Sequence, residues 1–292
     1  MERWPNLFIV GAPKAGTTSL YHYLSQVPEI YMSKVKEPNF FSVKTVGEKH
    51  PVKPIRDKKK YLHLFAEGKN FKYIGEASPT YLDDPEAALL IHQVSPKSKI
   101  IICLREPVER AYSQYLMLQG LGRSNLNFRE QLQKELIKNP EINLPNLRLQ
   151  AGFYSKWITI YLNIFEKNQV KILIFEEFIQ NPKQTIEEIL CFLNLNNTLA
   201  DFSPEVHNPY GVIKGPIARK IRQSKIVHTI SNKIFSKPQK DFLKEKLIFS
   251  EKSKPLIDEE SRDKLIEYYC EDVHILETIL KRKLPWSNFH VQ

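Results

Sequence analysis

Residues Gly11-Ala12-Pro13-Lys14-Ala15-Gly16-Thr17-Thr18-Ser19 join two glycines, one lysine and three hydroxyls in a nine-residue run. Successive backbone N–H groups in such a turn, with a helix N-terminus behind them, form a cradle for an anion. Gly16 lets the backbone approach a ligand closely, Lys14 brings a positive charge, and Thr17, Thr18 and Ser19 add hydroxyl donors. A second cationic candidate, Arg105, follows the apolar run Lys99-Ile100-Ile101-Ile102-Cys103-Leu104. Its guanidinium offers a forked donor suited to phosphate. Glu37, in Lys34-Val35-Lys36-Glu37-Pro38-Asn39-Phe40-Phe41, is a candidate general base. Lys34 and Lys36 would hold it ionised, and the competing reading is a surface carboxylate paired with those neighbours. The competing reading of the glycine loop is a tight turn without a ligand.

These residues need elements to position them. Leu7 to Val10 is a short apolar run ending at Gly11, and a helical pattern from about Thr17 to Gln26 follows the loop, stopped by Pro28. Strand, loop and helix in that order open a βαβ unit. The run 99–104 is a second buried strand, continuous enough for a parallel sheet covered on both faces. Pro107 then suits the first turn of a helix reaching about Leu118, on which Ser113 lies two turns from the strand end. Phe153, Trp157, Ile160, Tyr161 and Ile164 mark an amphipathic helix, Val170 to Phe175 a third strand, and Asn181-Pro182 the cap and first turn of a further helix. Another short strand precedes Gly75-Glu76-Ala77-Ser78-Pro79-Thr80-Tyr81, where Glu76 and Ser78 either face an acceptor or cap a helix. From about 255 to 283 the pattern is helical again. Alternating strands and helices predict one α/β domain over 1–292, a phosphate-loop-like, mostly parallel sheet flanked by helices, with that C-terminal segment packed on it.

The spacing Gly11-x-x-x-x-Gly16 matches the nucleoside-triphosphatase loop, but that loop places Lys directly after its second glycine. Here Thr17 stands there, and the lysine lies inside the loop. Leu104-Arg105 also replaces the acidic strand end that would hold Mg²⁺. The site therefore reads as positive and metal-free. In these features the chain resembles the sulfotransferase family, closest to its glycan-modifying and bacterial branch. Pro13-Lys14-Ala15-Gly16-Thr17-Thr18 is similar to that family's 5′-phosphosulfate loop. Leu104-Arg105-Glu106-Pro107-Val108-Glu109-Arg110-Ala111-Tyr112-Ser113 is similar to its 3′-phosphate segment, in which the matching residues are Arg105 and Ser113. The resemblance implies 3′-phosphoadenosine 5′-phosphosulfate as donor, bound by 14–19, Arg105 and Ser113, with Lys14 facing the leaving phosphate. It implies Glu37 as base, since Glu37-x-x-Phe40-Phe41 is similar to the Glu-x-x-Phe-Phe segment of glycan sulfotransferases. Some glycan members carry Lys where Ala77 stands. Lys214 and Gly215 match the Lys-Gly of the family's lid over the nucleotide, and an ordinary basic surface loop is the other reading. The acceptor would be a hydroxyl (or amine), with a saccharide, a lipid-linked or natural-product hydroxyl and a protein tyrosine all open.

Composition bounds the rest. The 292 residues are 42% hydrophobic and 26% charged, an ordinary globular balance. A formal charge of +10 favours an anionic partner or a solvated basic surface. Lys58-Lys59-Lys60 and Lys281-Arg282-Lys283 read as such surfaces, without the interleaved aromatics of a nucleic-acid groove. A phosphate-loop kinase using Mg-ATP and a basic module for nucleic acid or membrane are the competing functions. Cys103, Cys191 and Cys270 sit in apolar stretches and read as buried free thiols of a reducing compartment. The absence of a membrane span and of a signal-peptide layout leads to an expected cytoplasmic location. His22, His63 and His92 read as structural.

Overall fold

The computed structural model describes residues 3–44, 53–137, 146–195 and 255–290, with the backbone of two short antiparallel strands at 212–213 and 249–250. Two compact units are distinguished: Met1–Arg110, Gln150–His207 and Ile266–Gln292 form one, and Ala111–Leu149 with Asn208–Leu265 the other.

The first unit holds a parallel five-stranded sheet: β1 (Leu7–Gly11), β2 (Ile30–Met32), β3 (Tyr73–Ala77), β4 (Lys99–Leu104) and β5 (Val170–Ile174), in the order β2-β3-β1-β4-β5. Every residue of β1 is buried, as are Ile100 to Leu104 of β4. That explains their unbroken apolar sequence, because a central parallel strand has no solvent face. Helices α1 (Thr17–Leu24), α2 (Lys58–His63), α3 (Ala87–Val94), α6 (Tyr154–Ile164), α7 (Phe175–Gln180) and α8 (Pro182–Phe192) complete it, with the C-terminal part of the long helix α9 (Glu259–Leu280). This is the phosphate-loop-like α/β fold that the alternation predicts.

The strand order decides where a ligand can go. The connection leaving β1 runs toward β2 and β3, whereas the one leaving β4 runs toward β5. Adjacent strands whose connections depart in opposite directions open a crevice at their carboxyl ends. The glycine loop and Arg105 are the segments that leave those two ends.

Helix α4 (Pro107–Gly120) starts at the end of the first unit and continues in the second, which also holds α5 (Phe128–Leu136). Asn127 and Glu130 form a reciprocal capping box at the start of α5, and Arg129 pairs with Asp258 at 2.9 Å and Glu260 at 2.7 Å.

One sequence reading changes. Only Cys103 is buried; Cys191 is exposed and Cys270 half-buried, because α8 turns Ile186, Ile189 and Leu190 inward and leaves Cys191 outside. Arg282 and Lys283 are exposed, as the basic-surface reading expects, and carry surface ion pairs: Arg282 forks onto Glu177 at 2.8 and 2.9 Å, and Lys283 reaches Glu277 at 2.8 Å. Among the described residues, no helix is long and apolar enough to cross a membrane.

Candidate active site

The loop between β1 and α1 is built around Gly16. It stands at the N-cap of α1 with φ +77°, and no described side chain caps the helix. The helix N-terminus is thus left for another acceptor. A Cβ on Gly16 would lie 2.8 Å from Cδ2 of Phe175. Glycine is required on both counts. Lys14 adopts φ +70°, a left-handed backbone that a non-glycine residue holds only when its surroundings impose it. Ala15 and Thr17 are buried, and Lys14, Thr18 and Ser19 are half-buried.

Arg105 leaves the end of β4 and donates from Nη1 to the main-chain carbonyl of Lys14 at 3.2 Å. Its guanidinium lies 4.8 Å from the ring centre of Phe175, within cation–π range, and Nη2 is 3.8 Å from Glu109. The Arg105 Nε is buried with no hydrogen-bond partner among the described residues. A buried charged donor in that state is expensive unless a ligand accepts from it. Tyr154 fixes the backbone beneath by donating to the Arg105 carbonyl at 2.7 Å. Glu176 accepts from the Glu106 N–H at 3.1 Å and from Trp286 Nε1 at 3.0 Å, and Asn288 reaches Glu106 at 3.4 Å.

Glu37 lies on the opposite side of β1, where its N–H donates to Ala77 at the end of β3 at 3.0 Å. Its carboxylate pairs with Lys36 at 2.6 Å, both side chains being largely covered. The neighbour pairing foreseen from sequence is present for Lys36, whereas Lys34 turns to Glu67 instead. Burial lowers the pKa of Lys14, and the nearby Arg105 and Lys36 lower it further while Glu37 opposes them. Lys14 thus feels Arg105, Lys36 and Glu37 together, and Glu109 adds a second carboxylate beside Arg105.

Glu76 neither faces an acceptor nor caps a helix. It is fully buried and accepts from the hydroxyls of Tyr61 at 2.5 Å, Ser78 at 2.6 Å and Tyr81 at 2.9 Å. Burial raises its carboxyl to about 7 against the three hydroxyls that favour the charge. The signal for it was a lone carboxylate inside an apolar strand, which must be paired when buried. Phe175, the shared wall of the loop and Arg105, carried no signal: it reads as one more apolar residue ending a strand. Ser113 is half-buried on α4 in the second unit, and Lys214 and Gly215 lie outside the described residues.

A parallel sheet with a lysine-bearing glycine loop after its central strand, and an arginine after the strand beside it, defines a phosphate-loop-like α/β protein with a cationic cleft. The chain belongs to the sulfotransferase domain family, whose model matches residues 5–277. A solved sulfotransferase from Alicyclobacillus acidocaldarius is 29% identical, with 99% of this chain and 100% of that one covered and a TM-score of 0.72. Carbohydrate sulfotransferase 15 of Homo sapiens is 29% identical over 245 residues, 65% of this chain and 44% of its own length. Bifunctional heparan sulfate N-deacetylase/N-sulfotransferase 1 of Xenopus laevis is 27% identical over 205 residues, 68% of this chain and 23% of its own. The chain thus spans less than half the length of these curated relatives. Membership of this family counts against the kinase and the basic binding module.

Proposed function

We propose that this sulfotransferase moves the sulfuryl group from 3′-phosphoadenosine 5′-phosphosulfate to a saccharide hydroxyl or amine, with Glu37 as the base. The observation that carries the reading is the grip of Arg105 on the Lys14 carbonyl, which makes one cleft of two cationic segments 91 residues apart. Two features fit an anionic donor: the unpartnered buried Nε of Arg105 and the uncapped, glycine-led N-terminus of α1. In-line transfer forms a bond from the acceptor oxygen or nitrogen to sulfur and breaks the bond from sulfur to the phosphate oxygen. Glu37 takes the acceptor proton, and the Lys14 ammonium balances the charge left on the phosphate. Lys36 pairs with the Glu37 carboxylate at 2.6 Å and so fixes where it stands. The saccharide acceptor is supported by the names of the relatives from Homo sapiens and Xenopus laevis.

A thermal-shift comparison tests the donor. Adenosine 3′,5′-bisphosphate without metal raises the melting temperature, as binding to the native state must. Stabilisation by Mg-ATP alone would overturn the reading. Labelled sulfate transfer to pooled desulfated oligosaccharides tests the acceptor class, with Glu37→Gln as the inactive control.

A further inference from the structure

We propose that Glu76 is a positioning residue whose buried carboxyl orients two hydroxyls that hold the segment presenting Glu37; this rests on Glu37 being the base. Two of its three hydroxyl donors make a second bond to that segment. Ser78 Oγ accepts from the main-chain N–H of Asn39 at 3.1 Å, and Tyr81 Oη accepts from that of Phe41 at 3.3 Å. Above its titration near 7 the Glu76 carboxyl is ionised, and an ionised carboxylate only accepts. It therefore draws the protons of Ser78 and Tyr81 toward itself and leaves their lone pairs directed at the two amides. The carboxyl thus sets the polarity of both links without touching the Glu37 segment.

That segment needs holding. Glu37 and Asn39 both adopt left-handed backbone, φ +61° and +52°. Such residues persist only where their surroundings over-determine them. The Asn39 side chain, fully buried, donates to the Glu37 carbonyl at 2.9 Å and accepts from Thr80 Oγ1 at 2.7 Å, and Thr80 in turn meets Ser42 Oγ at 2.5 Å. Arg56 closes the far end by donating to the Ser42 carbonyl at 2.7 Å. Glu76 is the carboxyl to which Ser78 and Tyr81 both donate. It sits on β3 opposite Phe8 of β1, so the phosphate loop and the base segment are referred to the same strand pair.

Amide hydrogen exchange on the full chain, run above the Glu76 titration near 7, tests this without requiring an acceptor. Glu76→Gln replaces a pure acceptor with a group that also donates, and exchange at the Asn39 and Phe41 amides becomes roughly 10-fold faster while the amides of β1 keep their protection. Should Glu76→Gln fail to fold, two single-link variants carry the test. Ser78→Ala exposes Asn39 and spares Phe41, and Tyr81→Phe does the reverse. Affinity for adenosine 3′,5′-bisphosphate stays as in the wild type. Turnover with the pooled oligosaccharides falls about 10- to 100-fold, the usual effect of a misplaced reacting group. Glu37→Gln combined with Glu76→Gln is no slower than Glu37→Gln alone. Unchanged protection at both amides in the variants, or equal loss across β1, overturns the role of Glu76 whatever Glu37 does. Full turnover in Glu37→Gln with the exchange pattern as described overturns the base and leaves the positioning network standing.

Discussion

Arg105 donates to the main-chain carbonyl of Lys14, so one cation of the cleft holds in place the loop that carries the other. The contact makes the two interdependent. Arg105→Ala should weaken binding of adenosine 3′,5′-bisphosphate by about 2–5 kcal/mol, the range for truncating one partner of a buried charged contact. Combined with Lys14→Ala, the loss should be smaller than the sum, as expected of groups that share a partner. Calorimetric titration of the two single variants and the double variant checks this. Strict additivity would show that the loop does not depend on Arg105.

Lys14 is held in left-handed backbone and its ammonium is buried beside Arg105. Lys14→Gly should therefore move stability and activity in opposite directions. Glycine removes a backbone penalty of about 1–2 kcal/mol, partly offset by the greater freedom of the unfolded chain. The melting temperature should rise, while sulfuryl transfer falls by about 10²–10³-fold, the loss typical of one charge-stabilising group. A fall in both would mean that Lys14 supports the fold.

Gly16→Ala should lower stability and donor affinity together. The new methyl would have to take φ +77° and stand 2.8 Å from the Phe175 ring. The strain is about 1–3 kcal/mol, read by chemical denaturation. Because Phe175 also lies beneath the Arg105 guanidinium, any retreat of the ring shifts the second anchor as well.

Two carboxyls give the pH dependence of stability opposite slopes. Glu277 is held at about 2: burial opposes its charge, but Lys283, the Leu284 N–H and His290 outweigh that. Its folded value lies below the unfolded 4.5, so its contribution is present above about 4.5 and is lost as pH falls toward about 2. Glu76, raised by burial to about 7, behaves in the reverse way, and stability declines as pH rises from about 4.5 to about 7. Glu277→Gln should flatten the acid limb of a melting-temperature profile, and Glu76→Gln the upper limb.

Much of this was legible in the residues themselves. The buried strands Leu7–Gly11 and Lys99–Leu104 announced themselves as continuous apolar runs, and the glycine loop between strand and helix carried its own chemistry. Lys14 was found as the lysine inside the glycine loop, and Arg105 because it follows an apolar strand and matches the family's 3′-phosphate segment. The edge strand Ile30–Met32 was not found, since three residues hold too little periodicity to count. The role of Glu76 was also out of reach, because its partner Tyr61 comes from a separate segment that only the folded chain brings to it. Phe175 illustrates the general limit: its identity is ordinary, and its importance comes from what lies on either side of the ring.

The contacts of Trp286 and Asn288 with Glu176 and Glu106 set an order of events during synthesis. The glycine loop and β4 leave the ribosome early, yet Glu106 at the start of α4 meets Asn288, and Glu176, which holds the Glu106 N–H, meets Trp286, only after this last segment has been translated. A nascent chain can form the sheet first, but Arg105 acquires its complete backing late. Maturation of nucleotide affinity should then lag behind formation of the core, and chain-terminating lesions before Trp286 should yield protein that is folded in its sheet and poor at holding the donor.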